Sequence, residues 1–193
     1  MIIDITQEIF TCKTWPGDPV PEMNRFLSME KGDVNNASAF SMCAHNGTHV
    51  DTPLHFIRDG AAIDQVGLEP FVGDCYVSRR QGPVTADAMR EILQKAREAG
   101  ADKRILVAGD AYMTEEGARV LAEAGVLLYG NESQTVGPES GPMAVHLILL
   151  GAGVVLLEGV VLTDVEEGKY FLSAAPLNLG GFEGAPCRAY LMR

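Results

Sequence analysis

The clearest hydrophobic pattern in the chain is helical and lies in its second half. Apolar residues recur there at the i, i+3, i+4 and i+7 positions of one helix face, namely Met89, Ile92, Leu93 and Ala96. Thr85 is a suitable N-cap before these residues, and Gly100 is a suitable stop after them. The pattern therefore predicts a helix between Thr85 and Gly100.

A second helix and several buried strands are predicted from the residues that follow. Thr114 opens a segment that carries Ala118, Leu121 and Ala122 on one face, and Gly125 ends it. Short apolar runs predict strands at 105–108, 126–129, 154–157 and 188–192. Strands that alternate with helices are typical of an α/β fold with parallel strand pairs.

The first 80 residues are less regular than the rest. They are rich in turn-forming residues, and the segment WPGDPVP contains three prolines that exclude a helix or a central strand. We expect this half to add antiparallel strands to the sheet. The predicted fold class is therefore α/β, a mixed sheet with flanking helices in a single compact domain over residues 1–193.

Composition and charge narrow the class of protein. The 193 residues include 15 Lys and Arg against 26 Asp and Glu, which gives a formal net charge of -11. Non-specific nucleic-acid binding needs clustered basic residues, and so does adhesion to an anionic membrane. We therefore expect neither a nucleic-acid partner nor a membrane partner.

The N-terminus and the cysteines indicate a cytoplasmic protein. Asp4 and Glu8 interrupt the first apolar residues and no basic residue precedes them, so we expect no signal peptide. No apolar run approaches the roughly 20 residues of a membrane span. The four cysteines lie far apart and form no CxxC pair, which is typical of reduced thiols: Cys12, Cys43, Cys75 and Cys187.

Candidate chemistry is concentrated in one short segment, CAHNGTHVDTPLHF. It contains three of the four histidines, His45, His49 and His55, together with Asp51. His49 and Asp51 are two residues apart, so in an extended segment both side chains point to one face. Gly47 permits a turn that returns His45 to the same point. The spacing predicts a metal site; the alternative is a set of exposed loop histidines beside an incidental aspartate.

Two further candidates lie outside this segment. His146 is surrounded by apolar residues and, taken alone, is more typical of a core histidine than of a ligand. Glu158 ends the apolar run 154–157, at the end of a strand where α/β folds place their sites. A carboxylate there must be paired, protonated or bound to metal, because an isolated buried charge is costly. A capping or salt-bridge role for Glu158 is the alternative, and Cys43 is either a ligand of a soft metal or, more simply, a buried thiol.

These motifs resemble those of the cyclase superfamily, which includes bacterial kynurenine formamidases and isatin hydrolases. The family pattern His-x-Gly-Thr-His-x-Asp-x-Pro-x-His-Phe fits HNGTHVDTPLHF, and AVHLILL and VVLLEGV follow downstream. The opening residues DIT and WPGD, and the closing GAPCRA, are also similar to the family. The resemblance therefore extends along nearly the whole chain.

The resemblance implies a metal-dependent hydrolase with a "swivelling" mixed α/β domain, usually a homodimer. The implied substrate is a small-molecule amide: an N-formyl aryl amide, as in arylformamidases, or a cyclic amide such as isatin. The implied ligands of one or two divalent ions, zinc or manganese most often, are His45, His49, Asp51, His146 and Glu158. The resemblance implies that His55 is the acid–base residue.

One loop departs from the family pattern. Where formamidases commonly read GIDTPSID, this chain reads GNESQTVG at residues 130–137. Glu132 replaces the usual Asp, and the Pro, Ser and second Asp positions become Gln134, Thr135 and Gly137. If this loop shapes the pocket, the family activity is better supported than the kynurenine-pathway substrate.

Two questions of function stay open at this point. Trp15, the only tryptophan, is expected to line the substrate pocket because its indole offers a flat apolar face; alternatively it pins its loop to the core. A non-catalytic metal-binding module on the same fold is the alternative to an enzyme. His55 favours the enzyme, because such a module would not need a proton donor.

Overall fold

The computed structural model describes residues 1–193 and contains thirteen strands and three α-helices. The strands are β1 (Ile2–Asp4), β2 (Glu22–Leu27), β3 (Ala37–Ser41), β4 (His49–Asp51), β5 (Val72–Arg79), β6 (Gly82–Val84), β7 (Arg104–Ala108), β8 (Ala111–Met113), β9 (Leu128–Asn131), β10 (Val155–Glu158), β11 (Gly168–Ser173), β12 (Gly184–Pro186) and β13 (Tyr190–Met192). The helices are α1 (Ala86–Glu98), α2 (Glu115–Glu123) and α3 (Met143–Gly151).

Nine of the strands form one mixed sheet, in the order β1-β13-β11-β5-β7-β9-β10-β4-β12. The central strands β5, β7, β9 and β10 are parallel, and the strands on both sides of them are antiparallel. The prediction of a mixed α/β sheet with flanking helices is confirmed. The remaining strands pair as β2 with β3 and as β6 with β8.

The first two helices begin and end where the sequence predicts. The side chain of Thr85 accepts a hydrogen bond from the backbone N–H of Ala88, and Thr114 does the same for Gly117. Such caps satisfy N–H groups that have no partner within the helix. Gly100 follows α1 with a φ of 64°, a left-handed conformation that favours glycine and ends the helix.

The third helix, α3, was not predicted as a helix. Its residues MAVHLILLG are apolar on nearly every side, so they show no amphipathic period. Val145, His146 and Leu149 are buried against the sheet, whereas Met143 and Leu147 stay exposed. A helix without a polar face cannot be distinguished from a buried strand by its pattern alone.

The apolar core lies on both faces of the large sheet. One cluster contains buried residues of all three helices, and the other lies on the opposite face beneath the loops. All four cysteines are free thiols, as predicted. None of the helices has the length and apolar character needed to cross a lipid bilayer.

Candidate active site

Strands β4 and β10 bring three of the candidate side chains together. The strands are antiparallel neighbours, and their register places Glu158 opposite His49 and Leu156 opposite Asp51. His49 and Asp51 alternate with Val50, so both point to the same face, as predicted. Glu158 ends the parallel strand β10, which places the cluster at the edge of the sheet typical of α/β sites.

The turn before β4 adds His45, and helix α3 adds His146. Gly47 has a φ of 65°, and the turn it permits brings Nδ1 of His45 to 2.8 Å from Oδ1 of Asp51. This is the return of the chain that the sequence predicted. From α3, Nε2 of His146 reaches 3.1 Å from Oε1 of Glu158.

The cluster is compact and almost fully buried. Nε2 of His49 lies 3.4 Å from Oδ1 of Asp51 and 3.4 Å from Oε2 of Glu158. Nε2 of His146 lies 3.7 Å from Oδ2 of Asp51. The side chains of His49, Asp51 and Glu158 are no more than 3% exposed. The alternative of exposed loop histidines is therefore wrong for His49.

Backbone carbonyls fix the orientation of two imidazoles. Nδ1 of His49 lies 3.0 Å from the carbonyl oxygen of Gly47, and Nδ1 of His146 lies 3.0 Å from that of Pro142. A carbonyl oxygen only accepts, so both Nδ1 atoms carry the proton. When either ring is neutral, its lone pair is therefore on Nε2, which faces the carboxylates and is the atom that can bind a cation.

Two atoms of this cluster have no hydrogen-bond partner. Nε2 of His49 and Oδ2 of Asp51 are both buried and unpaired. The charged neighbours of Asp51 and Glu158 are imidazoles, and no Lys or Arg pairs with either carboxylate. Buried polar atoms are nearly always paired, so unpaired ones require an explanation. A bound cation supplies one.

The candidate ligand atoms form two groups that share Asp51. One group is His45, Asp51 and His55, and the other is His49, Asp51 and Glu158; within each, the ligand atoms lie within 4.8 Å of one another. Imidazole and carboxylate donors suit zinc and manganese. The residues therefore have the composition and spacing of a divalent-metal site.

The pKa values reflect the same crowding of charges. Burial alone would lower the pKa of His49, but the carboxylates of Asp51 and Glu158, each 3.4 Å from its Nε2, raise it well above its usual value. Burial would raise the pKa of Asp51, yet the hydrogen bond from His45 and the nearby imidazole of His49 hold it well below its usual value. His55 differs from His49, because at His55 the effect of burial is not outweighed by the carboxylates, and its pKa lies below the usual value. It is therefore neutral near pH 7 and can accept a proton.

A cavity of ≈ 230 Å³ opens beside the cluster. The candidate ligands His45, His146 and Glu158 face it together with His55. Its other walls come from Trp15, Asp18, Phe56, Gln134, Thr135 and Pro142. The structure thus places Trp15 at the cavity, as expected of a substrate-binding residue.

The loop at residues 130–137, which departs from the formamidase pattern, has one part that supports the fold and another that faces the cavity. Glu132 accepts hydrogen bonds from the backbone N–H groups of Gly109, at 2.6 Å, and Leu162, at 2.8 Å. The N–H of Val136 donates to Oε1 of Glu158 at 2.8 Å and thereby orients that carboxylate. Gln134 and Thr135 line the cavity.

Sequence reasoning missed two groups at the site, the Val136 N–H and the carboxylate of Glu183. The first is a backbone group, which no residue type could have revealed. The second lies 3.2 Å from Nε2 of His45 but is 138 residues away along the chain. The only signal in the sequence is the family-like GAPCRA segment, which begins directly after Glu183 and assigns Glu183 no role.

A mixed α/β fold with a buried His, Asp and Glu cluster at a strand end, beside a small cavity, is the arrangement expected of a metal-dependent hydrolase. The Cyclase family model matches residues 3–138. The kynurenine formamidase of Erythrobacter litoralis (strain HTCC2594) is 32% identical over 189 residues, covering 92% of this chain and 86% of that protein. The chain belongs to the Cyclase family.

Solved structures agree with this assignment. A protein described as a predicted metal-dependent hydrolase, from Bacillus stearothermophilus, is 26% identical with a TM-score of 0.80, covering 99% of this chain and 97% of that one. Isatin hydrolase A from Labrenzia aggregata is 22% identical with a TM-score of 0.82, covering 99% and 93%. At that identity the second likeness shows the fold alone.

Proposed function

We propose that this protein hydrolyses an N-formyl aryl amide to formate and the free arylamine. The observation that carries the proposal is the pair of buried, unpaired atoms, Nε2 of His49 and Oδ2 of Asp51, within a His, Asp and Glu cluster beside the cavity. The similarity to a kynurenine formamidase supports this substrate class.

The proposed ligands of the metal are His45, His49, Asp51, His146 and Glu158. We propose that these residues hold one or two divalent ions, with zinc or manganese as the metal; imidazole and carboxylate donors suit both. A bound divalent ion supplies Lewis acidity, which lowers the pKa of a water molecule and polarises the amide carbonyl.

His55 is the proposed catalytic acid–base residue. Its Nε2 lies 3.9 Å from Oδ2 of Asp51, and its ring packs against His45 and Phe56, with ring centroids 4.1 Å and 4.5 Å away. These contacts hold the ring at the cavity wall. The neutral Nε2 takes a proton from water as the C–O bond forms, and gives it to the amide nitrogen as the C–N bond breaks.

Trp15 is the proposed substrate-binding residue. Trp15 is half-buried on a loop. The loop is closed by a hydrogen bond from the N–H of Asp18 to the carbonyl oxygen of Trp15, at 3.0 Å. An indole held in this way offers a flat apolar surface to an aryl ring. Phe56 and Pro142 complete the apolar part of the cavity.

A cyclic amide such as isatin is the second candidate substrate. The amide atoms of Gln134 and Oγ1 of Thr135 have no hydrogen-bond partner in the protein. Both residues line the cavity, and a substrate with polar groups on its ring could pair them. The loop that departs from the formamidase pattern is therefore the feature that favours this candidate.

We also propose that the protein is a homodimer. The β2–β3 hairpin is exposed along both strands and presents Met23, Phe26 and Phe40 to solvent, each more than half exposed. An isolated two-stranded hairpin is marginally stable in water. A second copy of the chain packed on this hairpin would bury these side chains. Light scattering of the purified protein measures its mass and decides this point.

Incubation of the metal-loaded protein with N-formylaniline and, separately, with isatin tests the function. We expect formate release from the first substrate, and loss of the reaction after exhaustive chelation or in His49→Ala. Ring opening of isatin alone would select the second candidate. Full activity of a protein that elemental analysis shows to be free of metal would refute the proposal.

A further inference from the structure

Glu183 is the one carboxylate at the rim of the cluster that touches a candidate ligand. Its Oε1 lies 3.2 Å from Nε2 of His45, while Nδ1 of the same ring lies 2.8 Å from Oδ1 of Asp51. His45 is therefore held between two carboxylates of different kinds. The Asp51 side chain is 1% exposed and lies inside the cluster, whereas the Glu183 side chain is 40% exposed at its edge.

The backbone around Glu183 is fixed relative to the cluster. Its carbonyl oxygen accepts two hydrogen bonds from Thr52, one from the backbone N–H and one from Oγ1, each 2.9 Å long. Thr52 directly follows Asp51, so the two carboxylates that contact His45 are anchored to the same strand end. The Glu183 side chain therefore starts from a defined position even though its end is partly exposed.

The neighbouring residue makes room for the ring. A Cβ on Gly184 would come within 2.9 Å of Cε1 of His45 and 3.4 Å of Oδ1 of Asp51. Gly184 pairs with Asp51 in the antiparallel β4–β12 ladder, so the imidazole packs directly against strand β12. Gly184 thus leaves space for the His45 ring, and Glu183 contacts the Nε2 of that ring.

The two nitrogens of His45 have different surroundings. Nδ1 faces Asp51, whose oxygens also face His49, His55 and His146. Nε2 faces Glu183, and no other candidate ligand contacts it. A carboxylate only accepts hydrogen bonds, so Asp51 accepts from Nδ1 and Glu183 accepts from Nε2 when the ring carries both protons. An ion bound among Asp51 and the other ligands would replace the proton on Nδ1, and Glu183 would then keep the proton on Nε2.

We propose that Glu183 is a positioning residue for His45, an inference that rests on the proposed metal site. Its carboxylate accepts the Nε2–H and keeps Nδ1 directed at the divalent ion. Carboxylates that orient a ligating imidazole in this way commonly change metal affinity when they are removed. Glu183 itself does not bind the ion or the substrate.

Zinc titration against a chromogenic chelator tests this role in four proteins: wild type, Glu183→Ala, Glu183→Gln and Glu123→Ala. Glu183→Ala should weaken zinc binding by roughly 10–100-fold. Glu183→Gln keeps an oxygen that accepts the Nε2–H, so its affinity should stay near that of wild type. Glu123 lies exposed on α2, and its alanine variant is the matched control for loss of a surface charge.

Nitrogen-15 NMR of the imidazoles gives a second readout that does not depend on activity. With zinc bound, His45 of wild type should show a protonated Nε2 and a metal-bound Nδ1, and Glu183→Ala should lose the hydrogen-bonded Nε2–H signal. Circular dichroism establishes that each variant is folded.

Three results would overturn the inference. Wild-type affinity in Glu183→Ala would show that the carboxylate is not needed. Equal loss in Glu183→Gln and Glu183→Ala would mean that the negative charge matters rather than the hydrogen bond. A zinc-loaded wild type with Nε2 as the ligand would reverse the orientation. By contrast, a wild type that binds no zinc would refute the metal site itself, so the two failures are distinguishable.

Discussion

The carbonyl oxygen of Gly47 lies so close to Gly159 that a Cβ on Gly159 would come within 2.4 Å of it. Gly47 forms the turn before His49, and Gly159 directly follows Glu158. The contact therefore sets the distance between the two segments that carry the cluster. It is reinforced by Oγ1 of Thr48, which donates to the carbonyl oxygen of Gly159 at 2.7 Å.

We expect Gly159→Ala to destabilise the protein and to lower its metal content. Gly159 has a φ of 66°, and the added methyl group would also meet backbone and amide atoms. The backbone strain and the overpacking together should cost about 2–4 kcal/mol in urea unfolding. Gly153→Ala is the matched control, because its φ is 78° but no atom lies within 4 Å of its Cβ. Equal losses in the two variants would show that the Gly47 contact contributes nothing.

Replacement of His55 should separate catalysis from metal binding. His55→Ala should keep near wild-type metal content and lower kcat by roughly 10²–10⁴-fold, as expected for the loss of one general acid–base group. His49→Ala should lose both metal and rate, because the buried Nε2 of His49 has no hydrogen-bond partner in the protein and is a proposed ligand atom. The measurements are elemental analysis and steady-state kinetics.

The opposite result has a clear structural meaning. His55 belongs to one of the two groups of candidate ligand atoms, with His45 and Asp51. If His55→Ala loses as much metal as His49→Ala does, His55 is a ligand. The proton donor would then have to be another group at the cavity.

Metal binding should release protons near pH 7. In the metal-free protein, burial would lower the pKa of His45 and His49, but the nearby carboxylate of Asp51 raises both, that of His49 well above 6.5. An ion must displace these protons, so zinc affinity should rise with pH. Calorimetry in buffers of different ionisation enthalpy measures the release. No dependence on the buffer would contradict the protonated state of the cluster.

The raised pKa of His49 also predicts how the stability of the metal-free protein depends on pH. Because folding raises the pKa of His49, the protonated ring stabilises the folded protein fully below the unfolded pKa of 6.5. This contribution to stability is lost as the pH rises through the higher pKa of the folded protein. The metal-free protein should therefore lose thermal stability as the pH is raised above neutrality. The zinc-loaded protein should lose less, because its imidazoles are already neutral.

The local part of the site could be predicted from the sequence. The spacing of His49 and Asp51 sets a common face in any extended segment, and Gly47 permits the turn that returns His45. Short-range geometry of this kind depends only on backbone periodicity. For the same reason the capped helices α1 and α2 were predicted with nearly correct ends.

The long-range part could not be derived from spacing. Glu158 lies opposite His49 because of the β4–β10 register, which pairs residues more than 100 positions apart. His146 lies on α3, whose apolar sequence gives no helical period. Only the family resemblance connected these two residues with the cluster. Glu183 was not assigned a role at all, since its contact with His45 depends on where β12 joins the sheet.

Glu167 should make the protein sensitive to acid. It accepts hydrogen bonds from Ser78, from the backbone N–H of Arg79 and from Lys95, and it thereby connects β5 with α1. Burial would raise its pKa, but the N–H of Arg79, the ammonium of Lys95 and the hydroxyl of Tyr76, which also donates to Glu167, lower it from 4.5 to about 2. The resulting stability is present above pH 4.5 and is lost as pH falls toward about 2.

Glu167→Gln should therefore be less stable than wild type at pH 7, by about 1–2 kcal/mol once solvent screening is taken into account. The difference in stability between Glu167→Gln and wild type should vanish as the pH falls to about 2. Glu91→Gln is the control, because Glu91 also contacts Lys95 but its side chain is 52% exposed. A stability difference between Glu167→Gln and wild type that did not change with pH would show that the Glu167 carboxylate is not the titrating group.

Trp15 should report directly on substrate binding. As the only tryptophan, and one that lines the cavity with His55, it is the sole source of indole fluorescence. Addition of N-formylaniline to His55→Ala, which should bind the substrate without turning it over, is expected to quench or shift the emission. Trp15→Ala should raise KM by roughly 2–10-fold, the equivalent of about 0.5–1.5 kcal/mol of aromatic contact, whereas Trp15→Phe should lose less. An emission spectrum unchanged at saturating substrate, with an unchanged KM in Trp15→Ala, would mean that Trp15 only fixes its loop to the core.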